Sequence, residues 1–394
     1  MSNSGCSQSA GKGSDRSIVV EGLSFTYPGA EAATLSDINF HVDTGESLAL
    51  LGSSGAGKTT LLNVLSGLLP AQDGKITFSG RDVTSLPASQ RGVAQVFQFP
   101  VLYETLSVRE NIAFALRTRG TPRKQRWRRA DELAELFDLQ ALLDRKPTEL
   151  SLFEKQLTGV AKSLVREDLS MVLLDEPLTA VEPAMKWRLR GAVKRAQAQV
   201  GVPMVYVTHD QTEALTFADR VSVLHDGRLL QTGTPAGIYA QPEHAEVARF
   251  IGNPGMNVVP GEIAAGRLSL GGVLLDVPAV GSLTTAIAEL GDGEVEFGFR
   301  PEWSSLVSAA GQTNDSERQE STPGGWQLPA VLQAVRLTGA TAFVTQGIAE
   351  LVIGEQRVQV ACEQLEQQTA RHAQFSVHRC LLFRAGERVA ELNL

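Results

Sequence analysis

The chain has 394 residues, 43% of them hydrophobic, and a formal net charge of −8. That length and apolar content support two or three domains with a full core, and the acidic balance excludes a protein built to coat nucleic acid. The longest apolar runs, such as Met171-Val172-Leu173-Leu174, are strand-sized, which excludes a bilayer span and leaves only a peripheral role in a membrane system.

Cys6, Cys362 and Cys380 are odd in number and scattered, so neither a disulfide framework nor a metal site is expected, and a reducing cytoplasm fits. Met1 to Ser17 is Ser- and Gly-rich and lacks the apolar core of a secretory signal; it reads as a flexible tail, with Cys6 away from any lipidation site.

Ile18 to Tyr27 reads as a strand ending at the turn Pro28-Gly29. Tyr27 fits two roles, a core residue at a strand end or a ring that stacks on a nucleotide base. Ile38-Asn39-Phe40-His41-Val42 alternates, and Asp43-Thr44-Gly45-Glu46 predicts a hairpin into the next strand, Ser47-Leu48-Ala49-Leu50-Leu51. That strand runs into Gly52-Ser53-Ser54-Gly55-Ala56-Gly57-Lys58-Thr59-Thr60 and then Leu61-Leu62-Asn63-Val64-Leu65.

Strand, glycine-rich turn and helix start, in that order, are what a phosphate-binding loop requires. The glycines let successive N–H groups converge on phosphate oxygens, and the helix start adds its positive dipole end. Lys58 reaches the same phosphates, and the Thr59 hydroxyl is placed for Mg²⁺.

Lys75 to Phe78 and Val93 to Phe97 are strand-like, the second leading to Gln98 and then to an exposed-looking apolar loop, Phe99-Pro100-Val101-Leu102-Tyr103, of the kind that binds partners. From Ser107 to about Ser170 the pattern is helical, with Leu133, Leu136, Phe137, Leu139, Leu142 and Leu143 forming one apolar face. Arg123, Lys124, Arg126, Arg128 and Arg129 read as a solvated helix face.

Met171-Val172-Leu173-Leu174-Asp175-Glu176-Pro177 is a buried strand delivering two carboxylates: Asp175 to hold a metal, commonly through water, and Glu176 to polarise an attacking water. A helix over Pro183 to Gln199 leads to Met204-Val205-Tyr206-Val207-Thr208-His209-Asp210, which sets His209 at another strand end. In open α/β sheets ligands collect at the carboxyl ends of strands, where Lys58, Gln98, Asp175, Glu176 and His209 would meet. Val221 to His225, Asp226-Gly227 and Arg228 to Gln231 predict a hairpin. Beyond Asn253-Pro254-Gly255 the chain turns to short β segments, among them Val331 to Val335, Ala342-Phe343-Val344-Thr345 and Leu381-Leu382-Phe383.

The order of phosphate loop, Val96-Phe97-Gln98, helical insertion, Leu173-Leu174-Asp175-Glu176-Pro177 and Val207-Thr208-His209-Asp210 resembles the ATP-binding subunits of ABC transporters, over the chain from about Ile18 to its end. Asn253-Pro254, Pro260-Gly261, Arg300-Pro301-Glu302 and the β-rich tail are similar to the maltose and glycerol-3-phosphate type of importer ATPase, whose C-terminal pair of oligonucleotide-binding-like barrels regulates and dimerises.

The resemblance implies an α/β P-loop ATPase domain with a helical insertion, followed by an all-β oligonucleotide-binding-like C-terminal domain. The boundaries are a tail at 1–17, the ATPase domain at 18–252 with its helical part at about 100–168, and a regulatory domain at 253–394 with a flexible insertion at about 308–325. It implies adenine stacking by Tyr27, phosphate binding along Ser53, Ser54, Gly55, Ala56, Gly57, Lys58 and Thr60, Mg²⁺ ligation by Thr59, Gln98 and Asp175, a general base in Glu176, and a γ-phosphate contact from His209. Phe99 to Tyr103 would receive a coupling helix of a transmembrane permease subunit, two of which, with a solute-binding protein, would complete an importer of a sugar, polyol, glycerol or glycerol phosphate at the cytoplasmic face of the plasma membrane.

The chain departs from the family at its signature. Where the family has Leu-Ser-Gly-Gly-Gln at a helix start, this chain has Leu150-Ser151-Leu152-Phe153-Glu154-Lys155-Gln156. Thr179-Ala180-Val181-Glu182 stands for Ser-Ala-Leu-Asp. Phe153 puts a ring where none should fit, and Glu154 brings a negative charge towards a polyanion. Groups acting on the chain's own nucleotide are intact and those lent across a dimer are degraded, which predicts a heterodimer with a second ATPase bearing an intact signature. A non-hydrolysing nucleotide sensor and a soluble ATPase of repair or translation are the alternatives.

Overall fold

The computed structural model describes residues 17–270, 273–274, 282–309, 326–337, 347–353, 356–362, 373–377 and 379–393. The tail with Cys6, the 310–325 part of the expected insertion and the expected strand at 342–345 lie outside the described residues. The chain divides into two compact units, residues 1–236 and 237–394.

The first unit holds two sheets. Strands β1 (Ile18–Phe25), β2 (Leu35–Val42), β4 (Asp73–Phe78) and β5 (Arg81–Asp82) make an antiparallel sheet in the order β2-β1-β4-β5. Strands β3 (Ser47–Leu51), β6 (Val93–Val96), β7 (Met171–Asp175), β8 (Met204–Thr208), β9 (Arg220–His225) and β10 (Arg228–Gly233) make a second sheet, ordered β10-β9-β3-β8-β7-β6 and parallel except for its β9-β10 edge hairpin. The two classes are legible in side-chain pattern: β2 alternates buried with exposed positions, whereas β3 and β8 are buried at every residue, as strands of a sheet covered on both faces must be.

That difference corrects one expectation. Residues 43–46 do not close a hairpin between β2 and β3; β2 pairs with β1, and β3 pairs in parallel with β8 and β9, so the turn carries the chain from one sheet to the other. Half-buried alternation suits the one-sided sheet, and a continuous apolar run suits the two-sided one. The β9-β10 turn is a hairpin as expected, with Asp226 at φ 44° and Gly227 at φ 74°, both left-handed as a tight two-residue loop demands.

Helix α1 (Lys58–Ser66) packs in the layer between the sheets. Leu61, Leu62, Val64 and Leu65 are fully buried in one cluster with Ile18, Leu23 and Leu35 on one side and Leu48, Leu50, Leu173 and Val205 on the other. Each buried aliphatic side chain of this helix contributes about 1.5–3 kcal/mol to the cluster that joins the layers.

Helices α2 (Val108–Thr118), α3 (Arg123–Leu136) and α4 (Leu152–Leu164) form the helical insertion. The apolar face read from Leu133 to Leu143 is three pieces: α3 stops at Leu136, Asp138 takes a left-handed φ of 58°, and Leu142 lies in a separate single turn, yet Leu133, Phe137, Leu139 and Leu143 all reach the core. Helix α5 (Pro183–Val200) connects β7 to β8, and α6 (Gln211–Phe217) follows β8; α7 (Pro235–Ala240) runs through the division between the units.

In the second unit, α8 (Ala245–Phe250) precedes a six-stranded sheet in the order β13-β12-β11-β14-β20-β21, made of β11 (Asn257–Ala264), β12 (Arg267–Leu270), β13 (Val273–Leu274), β14 (Gly293–Phe299), β20 (Arg379–Arg384) and β21 (Glu387–Asn393). A closed barrel is formed by β15 (Ser304–Ala309), β16 (Trp326–Leu337), β17 (Gly347–Ile353), β18 (Gln356–Cys362) and β19 (Ala373–Val377), the five strands of an oligonucleotide-binding-like barrel. Where a pair of barrels was expected, the described residues form one barrel and one sheet, and the sheet carries a helix that the β pattern hid, α9 (Ser282–Leu290). Ser308 and Ala309, placed in the flexible insertion by composition, pair with Gln374 and Ala373. Arg300 is fully buried, its guanidinium donating to the carbonyls of Tyr239 and Ile251 and stacking 3.7 Å from the Tyr239 ring centroid.

Asp168, on the segment leading to β7, accepts from Arg166 Nε at 3.0 Å and from Arg119 at 2.6 Å. Burial pushes its pKa up, but the hydrogen bonds and charges of Arg166 and Arg119 outweigh burial and hold it at about 2. A depressed folded value means that the stabilisation is present above about pH 4 and is lost as the pH falls towards 2. The groups are half exposed, which limits the gain to about 1 kcal/mol. Asp168→Asn is therefore expected to lower the urea midpoint at pH 6 and to narrow the difference between midpoints at pH 6 and pH 2.5, read by circular dichroism.

Candidate functional site

Four neighbouring parallel strands end on one edge of the central sheet. β3 runs into the glycine turn, β7 delivers Asp175 and Glu176, β8 delivers His209, and β6 ends two residues before Gln98. The turn is built by close approach as much as by flexibility. A Cβ on Gly52 would lie 2.4 Å from the Leu224 carbonyl oxygen; at Gly57, with φ 104°, one would lie 2.9 Å from Leu35 Cδ2. The β9-β10 hairpin braces this turn, since Gly227 donates to the Ala56 carbonyl and accepts from the Ser36 N–H.

Gly57 is the N-cap of α1 and supplies no side-chain cap, so the first N–H groups of a helix embedded between two sheets are left for a ligand. They open into a cavity of about 640 Å³ lined by Thr34, Ser53, Ser54, Gly55, Gly57, Lys58, Thr59, Thr60, Glu176, Val207 and His209. Lys58 is folded back, its Nζ donating to the carbonyls of Gly52 at 2.7 Å and Ser53 at 2.8 Å. Burial lowers its pKa against the opposing pull of Glu176 and Asp175. Burial, with the neighbouring Glu176, raises that of Asp175, and Lys58 opposes it. Two carboxylates and one ammonium thus lie close enough at these strand ends to shift one another.

Glu176 sits at a left-handed φ of 45°, a strained conformation for a side chain of its size, and its N–H donates to the Val207 carbonyl. Both carboxylate oxygens are engaged: Oε1 lies 2.9 Å from His209 Nδ1, and Oε2 accepts from Thr179 Oγ1 at 3.2 Å.

The structure therefore brings together Ser53, Ser54, Gly55, Gly57, Lys58, Thr59, Thr60, Glu176 and His209. Ala56 is buried behind the turn, and Tyr27, Gln98 and Asp175 stand outside the lining set. Tyr27 lies beyond the end of β1, 41% exposed, edge-on to Phe25, with its hydroxyl 3.3 Å from Thr60 Oγ1; it is not a core residue. Thr34 and Val207 in the lining, and the bond from Thr179 to Glu176, had no sequence signal, because each depends on which strands become neighbours.

The donor set in the cavity, an uncapped helix start, one ammonium and the hydroxyls of Ser53, Ser54, Thr59 and Thr60, fits the phosphates of a magnesium nucleoside triphosphate. Among the described residues no cluster of three His, Cys, Asp or Glu could hold a metal ion.

The start of α4 is the opposite case. Ser151 Oγ accepts from the Glu154 N–H at 3.3 Å, while Glu154 Oε2 accepts from the Ser151 N–H at 2.7 Å and from its hydroxyl at 2.8 Å. Glu154 thus turns back onto its own helix in a complete capping box and does not project outwards as the sequence reading had it. Phe153 lies 5.8 Å from the Arg188 guanidinium in a groove shared with Trp187 and Leu142. One turn further on, the buried Gln156 amide donates to the Pro177 carbonyl at 2.8 Å and, more weakly, to that of Phe97 at 3.4 Å. Beyond Phe97, the loop side chains Phe99, Val101 and Tyr103 are exposed.

A family profile described as ABC transporter matches residues 35–179. The diacetylchitobiose uptake system ATP-binding protein of Streptomyces coelicolor is 36% identical over 81% of this chain and 83% of its own length. The sn-glycerol-3-phosphate import ATP-binding protein of Chromohalobacter salexigens is 38% identical over 74% and 77%, and the spermidine/putrescine import ATP-binding protein of Pseudomonas fluorescens 37% identical over 71% and 76%. Among solved structures, cbiO1 from Clostridium perfringens, part of the ABC transporter complex cbiONQ, aligns with a TM-score of 0.53 and 26% identity over 57% of this chain and 90% of its own.

Lys58→Ala removes a charge-assisted contact, so the affinity for a fluorescent ATP analogue is expected to fall ~10–10²-fold in an equilibrium titration, whereas Glu176→Gln is expected to leave it within about twofold.

Proposed function

Because the chain belongs to the ABC transporter family as one of its ATP-binding subunits, an ATPase class, we propose that it binds MgATP at the 52–60 turn and hydrolyses it to drive import of a small polar solute. The carrying observation is the single cavity in which the open start of α1, Lys58 and Thr59 face Glu176 and His209. The turn and Lys58 hold the β- and γ-phosphates, and the exposed Tyr27 ring stacks on adenine. Thr59, Gln98 and Asp175 hold Mg²⁺, which when bound neutralises phosphate charge. Glu176 takes a proton from the attacking water on a lone pair left free by its contacts with His209 and Thr179, which hold the carboxylate in place.

Relatives named for diacetylchitobiose uptake and sn-glycerol-3-phosphate import support a sugar, polyol, glycerol or glycerol phosphate as the solute. In this reading the subunit works from the cytoplasmic face against two transmembrane permease subunits, with a solute-binding protein as an indirect partner; among the described residues no helix is long and apolar enough to cross a membrane. The exposed Phe99, Val101 and Tyr103 side chains offer the apolar surface for a permease helix.

The second ATPase in the complex differs from this one. A helix start offers its N–H groups to another molecule's phosphate only where nothing nearer competes, and at α4 the capping box takes the N–H groups of Ser151 and Glu154 and sets the Glu154 carboxylate at that end. The site completed by this α4 is weak; the site made of this chain's Lys58 and Glu176 and a partner's intact signature is competent. Losing preorganised donors of this kind costs ~10²–10³ in rate, so the chain alone is expected to turn over ATP at about 1% or less of the rate of the complex purified through it. Brisk hydrolysis by the isolated chain, measured as phosphate release, overturns the pairing. Glu176→Gln in the complex is expected to cut hydrolysis ~10²–10⁴-fold and abolish uptake; uptake that survives would instead identify a non-hydrolysing sensor.

A further inference from the structure

We infer that Glu213 is a positioning residue for the hydrolytic step: its carboxylate fixes the turn that holds His209 against Glu176. The inference rests on the roles proposed above for those two residues. His209 has a side chain 55% exposed, so packing does not set its direction. Its direction is set by the backbone on either side, and both sides lead to one acid.

Glu213 is 3% exposed on the first turn of α6. Its Oε2 accepts from the Tyr206 hydroxyl at 2.7 Å and from Thr208 Oγ1 at 3.0 Å, and Oε1 accepts from Lys186 Nζ at 2.9 Å. Thr208 Oγ1 in turn accepts from the Asp210 N–H at 2.9 Å, and Asp210 Oδ1 accepts from the Glu213 N–H at 3.2 Å. The residues immediately before and after His209 are therefore closed into one ring of hydrogen bonds with the carboxylate at its centre.

The third arm reaches the other half of the site. Lys186 lies in the first turn of α5, the helix entered directly from the loop that follows Glu176, and its N–H donates to the Glu182 carbonyl. One buried carboxylate thus ties the flank of His209 to the segment that leaves Glu176, across the 2.9 Å contact between them. A buried charge with three donors is costly to break and rigid when whole. Burial, together with Glu213, raises the Tyr206 pKa, so that hydroxyl remains a donor throughout the working range. Misplacement of a reacting group by a fraction of an ångström is what such a brace prevents.

The test uses the complex purified through a tag on this chain. Glu213→Ala is expected to lower kcat about tenfold with KM for ATP within about twofold, and Glu213→Gln, whose amide oxygen still accepts from Tyr206 and Thr208, to recover at least about half of the loss. Thr208→Val, which removes one bond beside His209 and keeps the core volume, is expected to lower kcat about threefold and gives the readout if Glu213→Ala does not fold. Combined with His209→Ala, Glu213→Ala should add no further loss, because it acts through that residue. The inference is overturned if Glu213→Ala and Thr208→Val keep the full kcat, if KM rises in step with the loss, or if the two losses multiply in the double variant. If His209→Ala alone turns over at the unmodified rate, the assigned role of His209 fails first, and the positioning role falls with it.

Discussion

A helix whose first turn is buried between two sheets must dispose of N–H groups that it cannot pair itself, and the start of α1 disposes of them into a cavity. Gly57 offers no capping side chain, and the neighbouring backbone leaves no room for one. The two layers packed on α1 prevent the helix from shifting to relieve the deficit, since its leucines and Val64 are fully buried in both directions. The cluster that stabilises the first unit therefore also preserves an unmet electrostatic demand at one fixed point. Negative phosphate oxygens meet it, and Lys58, drawn onto the Gly52 and Ser53 carbonyls, stands ready at the same place.

The two helix starts that matter for function answer that demand in opposite ways. At α4 a serine and a glutamate satisfy two of the N–H groups at the helix start, those of Ser151 and Glu154, which stabilises the helix by about 1 kcal/mol and places a carboxylate at the end that would otherwise attract anions. The capping box from Ser151 to Glu154 thus gives this helix end a negative group of its own, where the start of α1 has none. The proposed pairing with a different ATPase rests on that contrast within one chain, between a helix start that carries its own carboxylate and one that opens beside Lys58, Glu176 and His209.

Much of this was legible in the sequence because short-range geometry encodes it. A four-residue apolar run ending in Asp175 and Glu176, or in the glycine turn, admits few placements other than a buried strand whose end faces a ligand. What escaped was set by which segments become neighbours. The turn at 43–46 looks like a hairpin loop because its residues suit one, and only the destination of β3 shows otherwise. Thr34 reaches the cavity because the β9-β10 turn holds its segment beside the phosphate loop. Glu154 was read as a charge pointing outwards, whereas a Ser-x-x-Glu spacing before an apolar run is itself a capping-box signature that could have been recognised. Helix α9 was masked by the glycine-rich β texture on either side.

Gln156 gives the molecule a mechanical property that none of its separate parts has. Its single buried amide is hung between the strand end that leads to the exposed aromatic loop and the proline that follows Glu176. Those two carbonyls cannot separate, nor the helix bearing the amide tilt, without stretching a bond that has no water to replace it. The strand end at the foot of the exposed loop and the residue that follows Glu176 are thereby tied over a linkage one side chain long.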